Sequence, residues 1–280
     1  RVTSADTGEV TVGAADYTFT SGNWDSAQTV TLTGINDTIV DTDTQTTVTI
    51  TVVDASSDNN FDALADQTVT VTTTDNETAG YTKSETTRTV AETGTTATFT
   101  LVLNAQPATD VVLGVVSADT GEVTVSAAAF TFTNGNWSTP QTVTLTGVND
   151  TIVDTDTETT VTISVTDASS NDEYDDLANQ TVTVTTTDDD SAGFTKSQTT
   201  RTVAETGTTA TFTLVLNAEP DSNVVLNVVS ADTDEVTVGT ADYTFTAANW
   251  NTPQTVTVTG VDDSIIDGDI QTTVTISVTD

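Results

Sequence analysis

Thr96–Leu103 reads TATFTLVL. Ala97, Phe99, Leu101 and Leu103 alternate with polar or smaller partners, the period of a strand with one buried face. Beyond it come further short runs of the same kind: Val111–Val116, Glu122–Val125, Phe130–Phe132, Val143–Leu145, Val161–Val165 and Val182–Val184. Asn, Asp, Gly and Pro separate them. About seven short strands with turn signals between them predict an all-β fold, an antiparallel Ig-like β-sandwich. No stretch has a helical period. The longest irregular segment, 167–179 (DASSNDEYDDLAN), has room for one helical turn.

The opening stretch returns unchanged as Thr209–Leu216, inside a longer near-copy. TKSETTRTVAETGTTATFTLVLNA from Thr82 recurs from Thr195 with one change, Glu85 to Gln198. SADTGEVTV at Ser4–Val12 recurs at Ser117–Val125, and as SADTDEVTV from Ser230. The spacing is 113 residues each time. That is too long for a solenoid turn and is the size of a whole domain. Three tandem sandwiches are expected: 1–79 without its opening strands, a complete unit at 80–192, and 193–280 without its last strand. The near-identity implies recent duplication and a segment of a larger protein.

Composition narrows the function. The chain has 5 Lys+Arg against 42 Asp+Glu, a net charge of −37, and no Cys, His or Met. Disulfides, thiolate zinc sites and imidazole bases are excluded. So much negative charge argues against nucleic acid, whose phosphates need Lys and Arg, and against anionic membrane surfaces. No window approaches the length of a membrane-spanning helix, so no membrane insertion is expected. The counter-ions are expected to be cations.

The carboxylates fall into three recurring groups. The first follows a strand: Asn36, Asp37, Asp41 and Asp43; Asn149, Asp150, Asp154 and Asp156; Asp262, Asp263, Asp267 and Asp269. The second closes the unit: Asp75, Asn76 and Glu77, then Asp188, Asp189 and Asp190. The third is the lone Glu of TVAETG, Glu92 and Glu205. Counting strands up and down places the loop after Leu145 and the tail after Val184 at one pole, where the next unit attaches. Oxygen donors at that density suit Ca²⁺, which takes 6–8 oxygens in flexible geometry, better than Mg²⁺. A solvated acidic surface is the competing reading.

The unit resembles a Calx-β domain, a module of sodium–calcium exchangers and of many bacterial surface proteins. GVDDSIIDGD is similar to the family's Asp-Asp-x-x-x-acid-x-acid loop, TTTDDDSAGF to its closing Asp triplet, and TVAETG to its opening acidic turn. The resemblance spans essentially the whole repeat and implies calcium at the domain junction. It places Glu9, Glu122 and Glu235 roughly at a further acidic ligand position. Asn36 and Asn149 depart from the loop pattern, and Asn76 and Glu77 from the triplet. Fewer charges should weaken binding at the first copy.

Other readings are weaker. Trp24, Trp137 and Trp250, in NWxxxQTV, could form a sugar-binding row, but their strand-like spacing from Phe and Tyr favours packing. Lys83 and Lys196 have no identifiable isopeptide partner. Paired carboxylates can hydrolyse glycosides, but these sit at domain ends, so no enzyme is expected. The expected function is a structural array: the calcium-stiffened stalk or filament body of an extracellular cell-surface protein. Its partners are neighbouring repeats head to tail, with a filament of several copies as the variant. A calcium-sensing module and a carbohydrate-binding adhesin array are the alternatives.

Overall fold

The computed structural model describes residues 1–266 and 268–279. Its central part is a two-layer sandwich. One sheet runs Ala129–Phe132, Val111–Ser117, Thr157–Val165, Gln180–Thr187, Thr87–Ala91, and the other Val123–Val125, Gln141–Gly147, Thr96–Leu103, Tyr81–Lys83. All the pairs are antiparallel except the last of the first sheet, where Thr87–Ala91 lies parallel to Gln180–Thr187. Thr96–Leu103 pairs Phe99 with Val143 and Ala97 with Leu145. Phe99, Leu101, Leu113, Phe132, Leu145, Ile163, Val182 and Val184 meet in the interior, while intervening threonines face outward. The period-2 pattern therefore decides both the strands and the core.

The irregular segment holds two short 3₁₀ turns, Asp167–Ser169 and Asp172–Tyr174, rather than one helical turn. The Asn171 side chain caps the second by accepting from the Glu173 amide at 3.0 Å. Tyr174 is fully buried, and its hydroxyl donates to the Ala105 carbonyl at 2.7 Å. The Tyr81 hydroxyl likewise reaches the Ile163 carbonyl at 3.0 Å, so both buried aromatics satisfy their polar ends.

The flanking copies repeat these ladders in part. The C-terminal copy pairs Phe194–Lys196, Thr209–Leu216, Gln254–Gly260 and Val236–Val238 in one sheet, and Asp242–Phe245, Val224–Ser230 and Val274–Thr279 in the other. The N-terminal copy has Val2–Ser4, Thr44–Ile50 and Gln67–Thr73 in one sheet and Val10–Val12 with Leu32–Gly34 in another. Residues 200–204 match Thr87–Ala91 in sequence but form no ladder. The strand that pairs with TRTVA in the centre, Gln180–Thr187, has no counterpart among the described residues of that copy.

Adjacent copies are joined by a two-residue parallel bridge. Ile39 and Val40 pair with Gln106 and Pro107, and Ile152 and Val153 pair with Glu219 and Pro220. The Thr38 hydroxyl bonds the Gln106 side chain at 2.6 Å, and the Gln106 amide donates to the Thr38 carbonyl at 3.1 Å. Val40 is buried in the core cluster of the central sandwich, not in that of its own copy. At the first junction the loop thus inserts an apolar hook into the next unit, while Ile152 and Val153 at the second are half-buried and outside the next unit's core cluster.

Candidate metal centre

Four segments of the central sandwich end at the pole carrying the second hook. The turn after Thr87–Ala91 brings Glu92, and the residue before Val123–Val125 is Glu122. The loop after Gln141–Gly147 brings Asp150 and Asp154, and the tail of Gln180–Thr187 brings Asp188–Asp190. Carboxylate oxygens of Glu92, Asp188 and Asp190 lie within 4.8 Å of one another, as do those of Glu92, Glu122 and Asp150. Glu92 belongs to both triads. It is 2% exposed, because the parallel strand pair closes over it and its amide donates to the Thr187 carbonyl at 3.1 Å.

The local backbone holds these groups in place. The Asp150 carboxylate accepts from the Ile152 amide at 2.7 Å, which fixes both the ligand loop and the hook. Asp188 accepts from the Asp190 amide at 2.8 Å, and Asp156 from the Asp188 amide at 3.4 Å. The Thr186 hydroxyl donates to the Glu122 carbonyl at 3.5 Å. These bonds leave buried oxygens without partners: Glu92 Oε2 and Glu122 Oε2 accept nothing. Burial and the charges of Asp150, Asp188, Asp154 and Glu122 push the Glu92 carboxyl up to about 7. Burial and neighbouring acids also raise Glu122, Asp154 and Asp190.

Unpaired buried carboxylates cost several kcal/mol each unless they protonate or meet a cation. The protein's own cations do not serve. Among the described residues the ion pairs are Arg1 with Asp16 and Arg88 with Glu85, neither at this pole. The donor set is all carboxylate oxygen, which suits a hard divalent cation and Ca²⁺ in particular. The orphaned Glu92 oxygen shows that the residues present fit such an ion.

The N-terminal copy has a looser version. Glu9, Asp37 and Asp41 place carboxylate oxygens within 4.8 Å of one another. Asp75 accepts from the Asp41 amide at 3.1 Å and from the Glu77 amide at 3.0 Å, and its own amide donates to Asp43 at 3.1 Å. Burial raises Asp75, but hydrogen bonds from Glu77, Asp41 and Asn76 outweigh it and lower its carboxyl below the ordinary value. Burial and then Asp75 raise Asp41, and the same two causes lead the rise at Glu77. Beside this group lies a cavity of about 510 Å³, lined by Asp41, Asp43, Asp75 and Glu77 and, from the next unit, Glu173 and Leu177.

Other candidates are outside the triads. Asn36 and Asn149 turn their amides onto the carbonyls of Asp37 and Asp150, and both are exposed, as are Asp43, Asn76, Asp156 and Asp189. In the C-terminal copy Glu205, Asp262, Asp263 and Asp269 are exposed and Glu235 is half-buried. Asp263 keeps the turn of its counterparts, accepting from the Ile265 amide at 2.7 Å. Asp267 lies outside the described residues. Among those described, no acidic triad forms in this copy.

Each triad draws on one copy, and the next unit adds flanking charge, Glu173 at the first junction and Asp221 beside Asp154 at the second. Neither stood out in the sequence, because both lie in loops distant along the chain. Trp137 and Trp250 pack against the cores, and the carbonyl of each accepts at 3.1 Å, from Leu103 and Leu216 respectively. Those two indoles are engaged in packing rather than displayed as a sugar platform.

No protein-family profile matches the chain, and no curated protein matches it. Among solved structures it is similar to the calcium-binding domain CBD12 of CALX1.1, at 12% identity over 64% of this chain and 74% of that one, with a TM-score of 0.32. CBD12 from CALX1.2 matches at 13% identity over 68% and 77%, TM-score 0.27. Domains 4 and 5 of the S-layer protein SbsC match at 19% identity over 66% and 69%, TM-score 0.32. Likenesses at these scores carry no functional argument. The β-sandwich assignment rests on the ladders themselves.

Proposed function

We propose that the chain is a structural, calcium-binding repeat array, part of the stalk or filament body of an extracellular surface protein. The observation that carries this reading is Glu92: a carboxylate 2% exposed, with an oxygen that has no partner, among four further acids. Glu92, Glu122, Asp150, Asp154, Asp188 and Asp190 would hold the ion at the central site. Glu9, Asp37 and Asp41, with Asp75 and Glu77 beside them, would hold it less tightly at the first. Bound calcium would supply positive charge and oxygen coordination, removing the mutual repulsion of these acids.

The residues around the site connect that charge balance to stiffness. Asp37 and Asp41 bracket Ile39 and Val40, so the groups that meet the ion and the residues that enter the next unit share one five-residue loop. When its carboxylates repel, the loop loosens and the hook loses its seat. With the loop fixed, Val40 stays in the neighbouring core. Small-angle scattering on the chain in calcium and in chelator tests this. An extended particle in calcium should bend in chelator, and Val40→Asp should bend it in both. Identical profiles for the parent chain in both conditions would refute the stiffening role.

A further inference from the structure

The geometry points to Gly147 as the positioning residue of the central metal site, acting through the Ala91 carbonyl to seat the turn that carries Glu92. This rests on the calcium reading above. Gly147 ends the strand Gln141–Gly147, directly before the ligand loop. A β-carbon there would stand 2.2 Å from the Ala91 carbonyl oxygen and 2.8 Å from its carbon. Real contacts are never that close, so the turn or the strand would have to move.

The turn cannot yield locally. The Ala91 carbonyl accepts from the Gly94 and Thr95 amides at 3.1 and 3.3 Å, and the Ala91 amide donates to the Thr95 hydroxyl at 2.7 Å. Gly94 adopts φ +83°, the left-handed region that closes so tight a turn. On the other side, the Gly147 amide donates to the Thr95 carbonyl at 3.1 Å. Turn and strand are thus bonded face to face, with no room for a side chain between them. Glu92 is the next residue after Ala91, so moving that carbonyl moves the carboxylate both triads share.

The repeats supply matched controls. A β-carbon at Gly260 would stand 2.3 Å from the Ala204 carbonyl oxygen, but Glu205 after it is exposed and in no triad among the described residues. A β-carbon at Gly34 would meet nothing closer than a Thr73 methyl at 3.6 Å. Gly147→Ala and Gly260→Ala therefore make the same steric insult, and only one makes it beside a metal group.

Calorimetric calcium titrations of the full chain, with circular dichroism for folding, test the assignment. Gly147→Ala is expected to weaken calcium binding at the tightest site at least about tenfold, the lower end for groups that position metal ligands. Gly260→Ala and Gly34→Ala should leave it unchanged. Thr95→Val, which only unpins the Ala91 amide at an exposed residue, should weaken calcium in the same direction, and decides the matter if Gly147→Ala does not fold. If the parent binds calcium and both Gly147→Ala and Thr95→Val bind it equally well, or Gly260→Ala weakens it as much, the positioning role is wrong. If the parent binds no calcium, the underlying reading fails instead.

Discussion

Gln67–Thr73 and the first seven residues of Gln180–Thr187 have the same sequence, QTVTVTT, yet they lie in different environments. Val182 is fully buried, whereas Val69, at the same repeat position, is 46% exposed. The acids contrast in the same way: Glu92 is 2% exposed, and Glu205, in an identical TRTVAETG, is exposed. Local sequence sets the strand. Whether its inward face is buried depends on the other layer and on the parallel neighbour. The unpartnered Glu92 oxygen follows, since a carboxylate loses its water where the sandwich closes over it.

The largest expected effect tests burial itself. Val182→Ala should cost about 2 kcal/mol in urea unfolding, the loss for a buried branched side chain. Val69→Ala should cost under about 0.5 kcal/mol, as for surface substitutions. Equal costs would mean the first copy is closed in solution, and the contrast would collapse.

Next comes the shared carboxylate. Glu92→Gln keeps the shape but removes the charge, and should weaken calcium at the central site at least about tenfold, no less than changes to supporting groups cost. Glu205→Gln should change it little. In chelator, Glu92→Gln should raise the melting temperature, because it removes a buried charge repelled by four neighbours.

A pH series sharpens the same contrast. In the metal-free protein, the Glu92 carboxyl is raised from 4.5 to about 7. The native state therefore holds the proton more tightly than the unfolded chain. The group's contribution to stability is whole at acid pH and is lost as pH rises from about 4.5 to about 7. Glu122, Asp154 and Asp190 shift in the same direction. Melting temperatures in chelator should fall across that window, less so for Glu92→Gln, and calcium should reverse the fall near neutrality.

The smallest effect is at Asn149. It is exposed, and its amide nitrogen donates to the Asp150 carbonyl. Asn149→Ala should change calcium affinity less than about threefold, or under about 1 kcal/mol.

Much of this was legible in the sequence. The alternation at Thr96–Leu103 reports a half-buried strand directly, and the 113-residue spacing frames the copies. Acids at strand ends suggested a pole, and strand parity suggested that the loop and the tail meet there. The rest depended on contacts distant along the chain. Nothing in TVAETG distinguishes Glu92 from Glu205, because the difference lies in the strand pairing with Thr87–Ala91. Ile39–Val40 reads as two more apolar residues in an acidic loop, and only the structure shows the pair bridged to Gln106–Pro107 and Val40 in the next core. The third such pair, Ile265 and Ile266, is 66% exposed and fully exposed respectively, with the same local turn. Asn36 and Asn149 suit the ligand loop by position, and their amide nitrogens donate to the carbonyls of Asp37 and Asp150.

The most direct test is a crystal structure grown in calcium, with anomalous scattering used to locate the ion. An ion is expected within about 2.3–2.6 Å of Glu92 Oε2 and of oxygens from Asp150 or Asp188, with none on the exposed Glu205. A map in which Glu92 stays buried without an ion, or in which calcium lies only on the open acids of the C-terminal copy, would contradict the account.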